Sequence, residues 1–249
     1  MKQIVLSLFP GIGILDRGFE EAGFCVVRGP DLLWGGDIRN FHVPRSGSFD
    51  GVIGGPPCQA FSLLSHMVRY NGYEVAENLI PEFERVIAEA QPYWFLMENV
   101  ERAPSPTVAG YHVTTFLLNN RWLPNTTPQH RLRRFWFGCR DAVIDLMRYI
   151  ELSPVEPAEF ERAVIASGTI RPSGGKKRLN KNGASRESVR KALLLQGLPE
   201  DFFGSESPFT VGAMQRMIGN AVSMPMARAV ANAVKLALAV LETGVSNDE

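Results

Sequence analysis

Residues 3–23 read QIVLSLFPGIGILDRGFEEAG. Residues 3–9 form an apolar run, Pro10-Gly11-Ile12-Gly13 breaks it, and Leu15, Phe19 and Ala22 then recur at helical spacing until Gly23. That order spells strand, glycine-rich turn and helix. Lys2 followed by apolar residues mimics a short secretory segment, but Pro10-Gly11 interrupts it and Asp16-Arg17 follow without a small-residue cleavage site, so a buried strand is expected.

The same grammar continues downstream. Phe24–Val27 is a second apolar run closed by Arg28-Gly29-Pro30-Asp31, and Phe49-Asp50-Gly51-Val52-Ile53 is a third, stopped by Gly54-Gly55-Pro56-Pro57. Residues 75–91 carry Ile80, Phe83, Val86, Ile87 and Ala90 on one helical face, and Tyr93–Met97 is a buried strand ended by Glu98. Arg134–Gly138 predicts another strand, 141–149 a short helix, 187–196 a helix, and Pro225 stands near the start of a final helix running to about Leu241. Apolar strands alternating with helices argue an α/β fold with a largely parallel sheet, whose ligands sit beyond the carboxyl ends of the strands.

Composition narrows the class. The 249 residues hold 26 Lys+Arg against 26 Asp+Glu and 45% hydrophobic residues, enough for a sizeable core and with no global charge that draws a polyanion. Cys25, Cys58 and Cys139 are odd in number and far apart, so neither a disulfide framework nor a metal cluster follows, and a reducing, cytoplasmic setting is expected. Residues 51–68 and 103–120 lack Asp, Glu, Lys and Arg, but prolines or paired glycines interrupt them and no membrane span is expected.

At the strand ends stand the polar residues of interest. Pro10-Gly11-Ile12-Gly13 permits close approach of a ligand, although Asp16 stands where the full dinucleotide motif would place a third glycine, and alone the turn reads equally as a tight turn. Gly54-Gly55-Pro56-Pro57 fixes an unusual backbone immediately before the Cys58 thiol, which suits a positioned nucleophile better than a core cysteine. Glu98 ends the next strand, and residues 121–140 hold Arg121, Arg131, Arg133, Arg134 and Arg140 with no acid until Asp141. Guanidiniums at a strand entrance suit phosphate or carbonyl recognition.

In this order the motifs resemble those of the cytosine carbon-5 DNA methyltransferase family. Ser7-Leu8-Phe9-Pro10-Gly11-Ile12-Gly13 looks like its first cofactor motif, Gly36-Asp37-Ile38 its adenine motif, Pro56-Pro57-Cys58-Gln59-Ala60-Phe61-Ser62 its nucleophile loop, Glu98-Asn99-Val100 its acid motif and Gln129-x-Arg131-x-Arg133 its arginine motif. Leu195-Gln196-Gly197-Leu198-Pro199 and Gly219-Asn220-Ala221-Val222 match the last two. The resemblance implies a Rossmann-like S-adenosylmethionine-dependent methyltransferase fold, with a catalytic part over 1–138, a much reduced target-recognition region over 139–185 and a return to the catalytic domain over 186–249.

It further implies that a cytosine is flipped out of double-stranded DNA, that Cys58 adds to carbon 6, that Glu98 hydrogen-bonds or protonates nitrogen 3, and that Arg133 holds the base carbonyl while Arg131 supports the loop or the phosphate. Phe9, Gly11, Gly13, Asp31, Asp37, Ile38, Pro57, Asn220 and Val222 would shape the S-adenosylmethionine pocket, and Gln59, Ser62, Gln129, Lys176, Lys177 and Arg178 would meet the substrate. No metal is implied. A restriction-modification or phage setting, an RNA cytosine substrate, a non-catalytic partner subunit and a transferred group other than methyl stand as alternatives or extensions.

Two departures matter. Val27-Arg28-Gly29-Pro30-Asp31 leads almost directly to Gly35-Gly36-Asp37, leaving no room for a helix between the ribose acid and the adenine motif. About fifty residues separate Phe137 from Leu195, too few for a full recognition domain. Charge is segregated along the chain: 171–191 carries eight basic residues against Glu187 alone, and 74–101 carries seven glutamates against Arg85 alone. The basic stretch reads as a flexible loop or, beside a flipping site, as a phosphate contact.

Overall fold

The computed structural model describes residues 3–61, 77–124, 129–153 and 185–243. Ser62, Lys176, Lys177 and Arg178 lie outside these residues, as do the Gln59 side chain and most of the expected recognition region.

Strands β1 (Ile4–Leu8), β2 (Cys25–Arg28), β3 (Gly51–Gly54), β4 (Trp94–Asn99), β5 (His112–Asn119) and β6 (Leu132–Cys139) form one sheet in the order β2-β1-β3-β4-β6-β5. The first four pair in parallel, with Leu6 opposite Val27 and Val52, and β6 joins β4 and β5 antiparallel. After β2 the chain returns across β1 to lay down β3 on its other side, so the ends of β1 and β3 flank the crevice where open α/β sheets bind ligands.

Strand residues alternate between two cores. Val5, Ile53, Leu96 and Phe137 face one, with α1 (Ile14–Ala22), α3 (Arg186–Leu195), α4 (Val211–Asn220) and α5 (Met224–Thr243). Leu6, Val52, Phe95 and Trp136 face the other, with α2 (Ile80–Ala90). This period-two alternation with both faces covered explains why the strands read as unbroken apolar runs. Gly51 is forced by packing, since a Cβ there would lie 2.3 Å from the Trp94 indole.

The structure corrects several expected boundaries. Helix α2 buries the anticipated Ile80, Phe83, Val86, Ile87 and Ala90, but starts at Ile80, where the Asn78 carboxamide accepts the Ile80 N–H at 3.0 Å and Pro81 occupies the first turn. The helix expected over 141–149 is only a 3-10 turn, Leu146–Tyr149, because Asp145 in extended geometry accepts the Met147 N–H and starts the turn there. Strand β5 and helix α4 have no counterpart in the expected elements. Residues 144–150, inside the expected recognition region, bury Ile144, Leu146 and Ile150 in the core beside α5. Helix α5 is part of an apolar stretch long enough by composition to cross a membrane, yet it packs on α1 and buries Met226, Val230, Ala231 and Val234. In this structure it is a core helix.

Candidate active site

A cavity of ≈ 280 Å³ opens at the carboxyl ends of β1, β3 and β4. Its first wall is the glycine turn. Phe9 and Gly11 both have φ of 55°, the left-handed region, and for a bulky residue such as Phe9 that conformation persists only where neighbours over-determine it. The neighbours are visible. The Phe9 N–H donates to the Pro30 carbonyl at 3.2 Å, the Gly11 N–H donates to Asp31 Oδ2 at 2.8 Å, and the Trp34 indole N–H donates to the Gly11 carbonyl at 2.8 Å. An ideal Cβ on Gly11 would meet nothing within 4 Å, so the bare backbone faces open space.

The second wall follows β2. Asp31 also accepts the Leu33 N–H at 2.7 Å and caps the 3-10 turn Leu32–Trp34. Asp37 caps the turn Ile38–Asn40 and is gripped by Arg39, whose Nε lies 3.0 Å from Oδ1. Arg85 from α2 donates to the Ile38 and Phe41 carbonyls at 2.8 and 2.9 Å, fixing this segment to the domain.

The third wall carries the thiol. Cys58 opens the 3-10 turn Cys58–Ala60 after the Gly54-Gly55-Pro56-Pro57 turn, which is tied to β4 by Asn99 Nδ2 donating to the Pro56 carbonyl at 2.9 Å. Gly55 permits close approach of the acid: a Cβ there would stand 3.1 Å from Glu98 Oε2. Glu98 pairs across the sheet with Phe135, and Arg133, two residues along β6, therefore shares its face. Arg133 Nε lies 2.9 Å from Glu98 Oε1.

Burial governs the ionisation of this group. It pushes the Glu98 carboxyl above its usual range, outweighing the attraction of Arg133 and Arg131. It pushes the Cys58 thiol up as well, and the Glu98 charge adds to the rise while Arg133 and Arg131 oppose it. An acid whose carboxyl is held above its usual range, beside a thiol flanked by guanidiniums, suits general acid catalysis of a nucleophilic addition.

Of the expected residues, Phe9, Gly11, Asp31, Asp37, Ile38, Pro57, Cys58, Glu98, Arg133, Asn220 and Val222 all line the cavity. Gly13, Gln129 and Arg131 are not among its lining residues. A Cβ on Gly13 would meet the Arg28 guanidinium at 3.1 Å, so that face is covered. Gln129 is 1% exposed, and its carboxamide atoms have no hydrogen-bond partner among the described residues. Arg131 is 2% exposed and donates through Nη2 to the Gly219 carbonyl at 2.9 Å and to the Ala221 carbonyl. It therefore fastens the Asn220–Val222 segment to β6 rather than facing a base. Gln196 does similar work, donating to the Ile218 carbonyl at 2.8 Å. Ser7, Asp16, Asn99 and Met217 line the cavity without having been anticipated there. Ser7 interrupts the apolar run of β1, and Asp16 stands in the place of a glycine, which were the available signals.

The family model for C-5 cytosine-specific DNA methylases matches residues 34–171 and 153–236. This chain belongs to that family. Among curated relatives of this chain, Type II methyltransferase M.FnuDI of Fusobacterium nucleatum is 32% identical over 55% of this chain and 46% of its own length. Orphan methyltransferase M.SPRI of Bacillus phage SPR is 28% identical over 57% of this chain and 39% of its own length. The chain thus spans less than half of these two relatives. Type II methyltransferase M.HgiDI of Herpetosiphon aurantiacus is 27% identical over 89% of this chain and 91% of its own length. The crystal structure of S. pombe Dnmt2 methyltransferase superposes with a TM-score of 0.57 at 15% identity, covering 97% of this chain and 99% of that one. At that identity the likeness speaks to the Rossmann-like methyltransferase fold alone.

The family's cofactor is S-adenosylmethionine, and the cavity of this chain fits it. Among the described residues, Asp16, Asp31, Asp37 and Glu98 line the cavity against one cation, Arg133, with apolar walls that include Phe9, Leu33 and Ile38. That balance suits a ligand bearing cationic, hydroxyl and amino groups rather than phosphates.

Proposed function

We propose that the protein is a DNA (cytosine-5-)-methyltransferase that works through a covalent cysteine adduct on a flipped-out base. The observation that carries the reading is the meeting of Cys58, Glu98 and Arg133 from three different strand ends at one cavity whose other walls suit S-adenosylmethionine.

The target cytosine must leave the duplex to reach Cys58. Cys58 as thiolate forms a bond to ring carbon 6, and Glu98 delivers its proton to ring nitrogen 3, so that the electrons displaced from the 5,6 double bond are accommodated. Arg133 orients the Glu98 carboxyl and offers its remaining N–H donors to the carbonyl oxygen of the base. When bound, S-adenosylmethionine supplies the electrophilic methyl group for carbon 5. Loss of the carbon-5 proton to solvent, departure of Cys58 as thiolate and return of the nitrogen-3 proton to the Glu98 carboxylate restore the neutral aromatic ring. Phe9, Gly11, Asp31, Asp37 and Asn220 would hold the cofactor, while Asn99 and Arg131 position the surrounding segments.

The short recognition region supports short or relaxed sequence specificity. Three free cysteines, together with relatives named as type II and phage methyltransferases, support action in a reducing cytoplasm within or beside a restriction-modification system.

The test is transfer of tritiated methyl from S-adenosylmethionine to duplex DNA, with matched transfer RNA alongside, followed by bisulfite sequencing of the DNA. Label on DNA cytosine that vanishes in Cys58→Ala is expected. Undiminished transfer by Cys58→Ala would refute the mechanism, and label confined to RNA would refute the substrate.

A further inference from the structure

The arginines of residues 121–140 take different partners, and one of them keeps most of its donors unused. Arg131 is buried on backbone carbonyls, and Arg133 holds Glu98. Arg140, past the far end of β6, lies 5.4 Å from the centre of the Tyr111 ring and donates to its hydroxyl at 3.2 Å. Arg134 stands at the near end of β6, opposite Asn99 of β4 and next to Arg133, both of which line the cavity. Arg134 adjoins the cavity without lining it. Its Nε donates to the Glu101 carbonyl at 2.9 Å, and its guanidinium lies 5.9 Å from the centre of the buried Trp136 ring. Of the five N–H donors of an arginine, the four on Nη1 and Nη2 make no hydrogen bond or ion pair among the described residues. Arg102, directly after Glu101, is exposed and has no partner among the described residues either.

Alternation along β6 puts Arg133 on the face of Glu98 and Arg134 on the opposite face, with Trp136. The side chain that meets the base and the side chain left free therefore leave one strand end on its two sides. A DNA strand carries a phosphate about every 3.4 Å of its axis, so a nucleotide reaching Cys58 brings phosphodiesters to the rim of the cavity. The bond to Glu101 and the contact with Trp136 fix the plane of the Arg134 fork beforehand, which suits two oxygens of one phosphate. Glu101 is the acid on this turn, and it makes no ion pair with Arg102 or Arg134 among the described residues.

We propose that Arg134, with Arg102 beside it, binds backbone phosphates of the DNA docked at the cavity. The proposal rests on the reading of the substrate as DNA.

Fluorescence anisotropy of a labelled random-sequence DNA duplex titrated with the full chain, repeated from about 50 to 200 mM salt, tests it. Each phosphate contact adds about 0.9 to the slope of log affinity against log salt, so Arg134→Gln and Arg102→Gln are each expected to lower that slope by about 0.9 and to weaken binding about eightfold at about 100 mM. Arg134→Lys keeps the charge and is expected to keep the slope. S-adenosylhomocysteine affinity is expected to stay at the wild-type value in all three variants. An Arg134→Gln variant that binds the duplex more weakly by the same factor at every salt, with an unchanged slope, would make the residue part of the framework and overturn the proposal. So would a loss of slope in Arg134→Lys equal to that in Arg134→Gln. A wild-type protein with no salt-dependent affinity for the duplex would refute the DNA reading itself, and the proposal with it.

Discussion

Replacing Arg131 by methionine separates a fastening role from a chemical one. The guanidinium is buried and bonds the carbonyls of Gly219 and Ala221, which flank Asn220 and precede Val222, both in the cavity wall. Methionine fills most of the volume and donates nothing. Each hydrogen bond to a charged donor contributes about 1.5–3 kcal/mol, so two amount to about 3–6 kcal/mol. Part is offset, because burial and the nearby Arg133 charge both press against the ionised guanidinium, and removing it relieves that cost. A net loss of about 3 kcal/mol lowers the melting temperature by roughly 6–12 °C in a domain of this size.

The same change loosens the cavity wall. If about 1.4 kcal/mol of the loss falls on the Asn220–Val222 segment, S-adenosylhomocysteine binds about tenfold more weakly. Thermal unfolding and calorimetric titration read the two effects, and Arg131→Lys, which can reach one carbonyl, should fall between. The reasoning fails if Arg131→Met melts within about 2 °C of wild type and binds cofactor normally, yet loses methyl transfer. That result would place Arg131 on the base.

Three further outcomes are expected. Alkylation of Cys58 by iodoacetamide should rise with pH through an inflection above the ordinary thiol value of about 8.5, because burial and the Glu98 charge disfavour the thiolate; Glu98→Gln removes that charge and should shift the inflection down, and an upward shift would contradict the electrostatics. Asn99→Ala frees the Pro56 carbonyl and should lower the methyl-transfer rate about tenfold with cofactor affinity unchanged; weakened cofactor binding with a normal rate would count against it. Gly51→Ala drives a Cβ into the Trp94 ring and should cost about 1–3 kcal/mol in denaturant unfolding, with no change in m.

How far the chain was legible follows from where its interactions run. Strands β1, β3 and β4 were readable because both faces are covered and each apolar run is cut off, by glycine and proline after β1 and β3 and by the acid Glu98 in β4, and the motifs they carry fall at those ends. Strand β5, HVTTFLLN, was not, because its outer half is exposed or half-buried and its identity depends on pairing with β6. Helix α4 contains Gly212 and Gly219 and buries only Ile218 and Gly219, so its period is faint. The arginines show the limit most sharply. Arg131 and Arg133 are two residues apart, the spacing of one strand face, yet Arg133 reaches the acid while Arg131, just before β6, reaches carbonyls 88 and 90 residues downstream. Residue type and spacing give the first partner and are silent about the second.

The missing helix between β2 and β3 has a structural answer. So few residues separate Asp31 from Gly36 that no helix fits between them. In the structure the short turn is bonded directly to the glycine turn: Asp31 takes the N–H of Gly11, and the Trp34 indole takes its carbonyl. The peptide groups of a residue at positive φ are thereby held on both sides by one four-residue segment. Because each Asp31 oxygen accepts a single N–H, each keeps an acceptor site, and a carboxylate already fixed by two donors loses less freedom when a further donor arrives. The cost of the shortening appears in exposed apolar side chains: Leu32, at the cavity, and Trp34 stay 67% and 61% exposed. Trp34 is only half relieved by the edge of Phe209, 5.9 Å away, which draws the loop before α4 toward the same rim. The turn that replaced the helix thus braces the cofactor wall from two directions with side chains a helix would have used for its own packing.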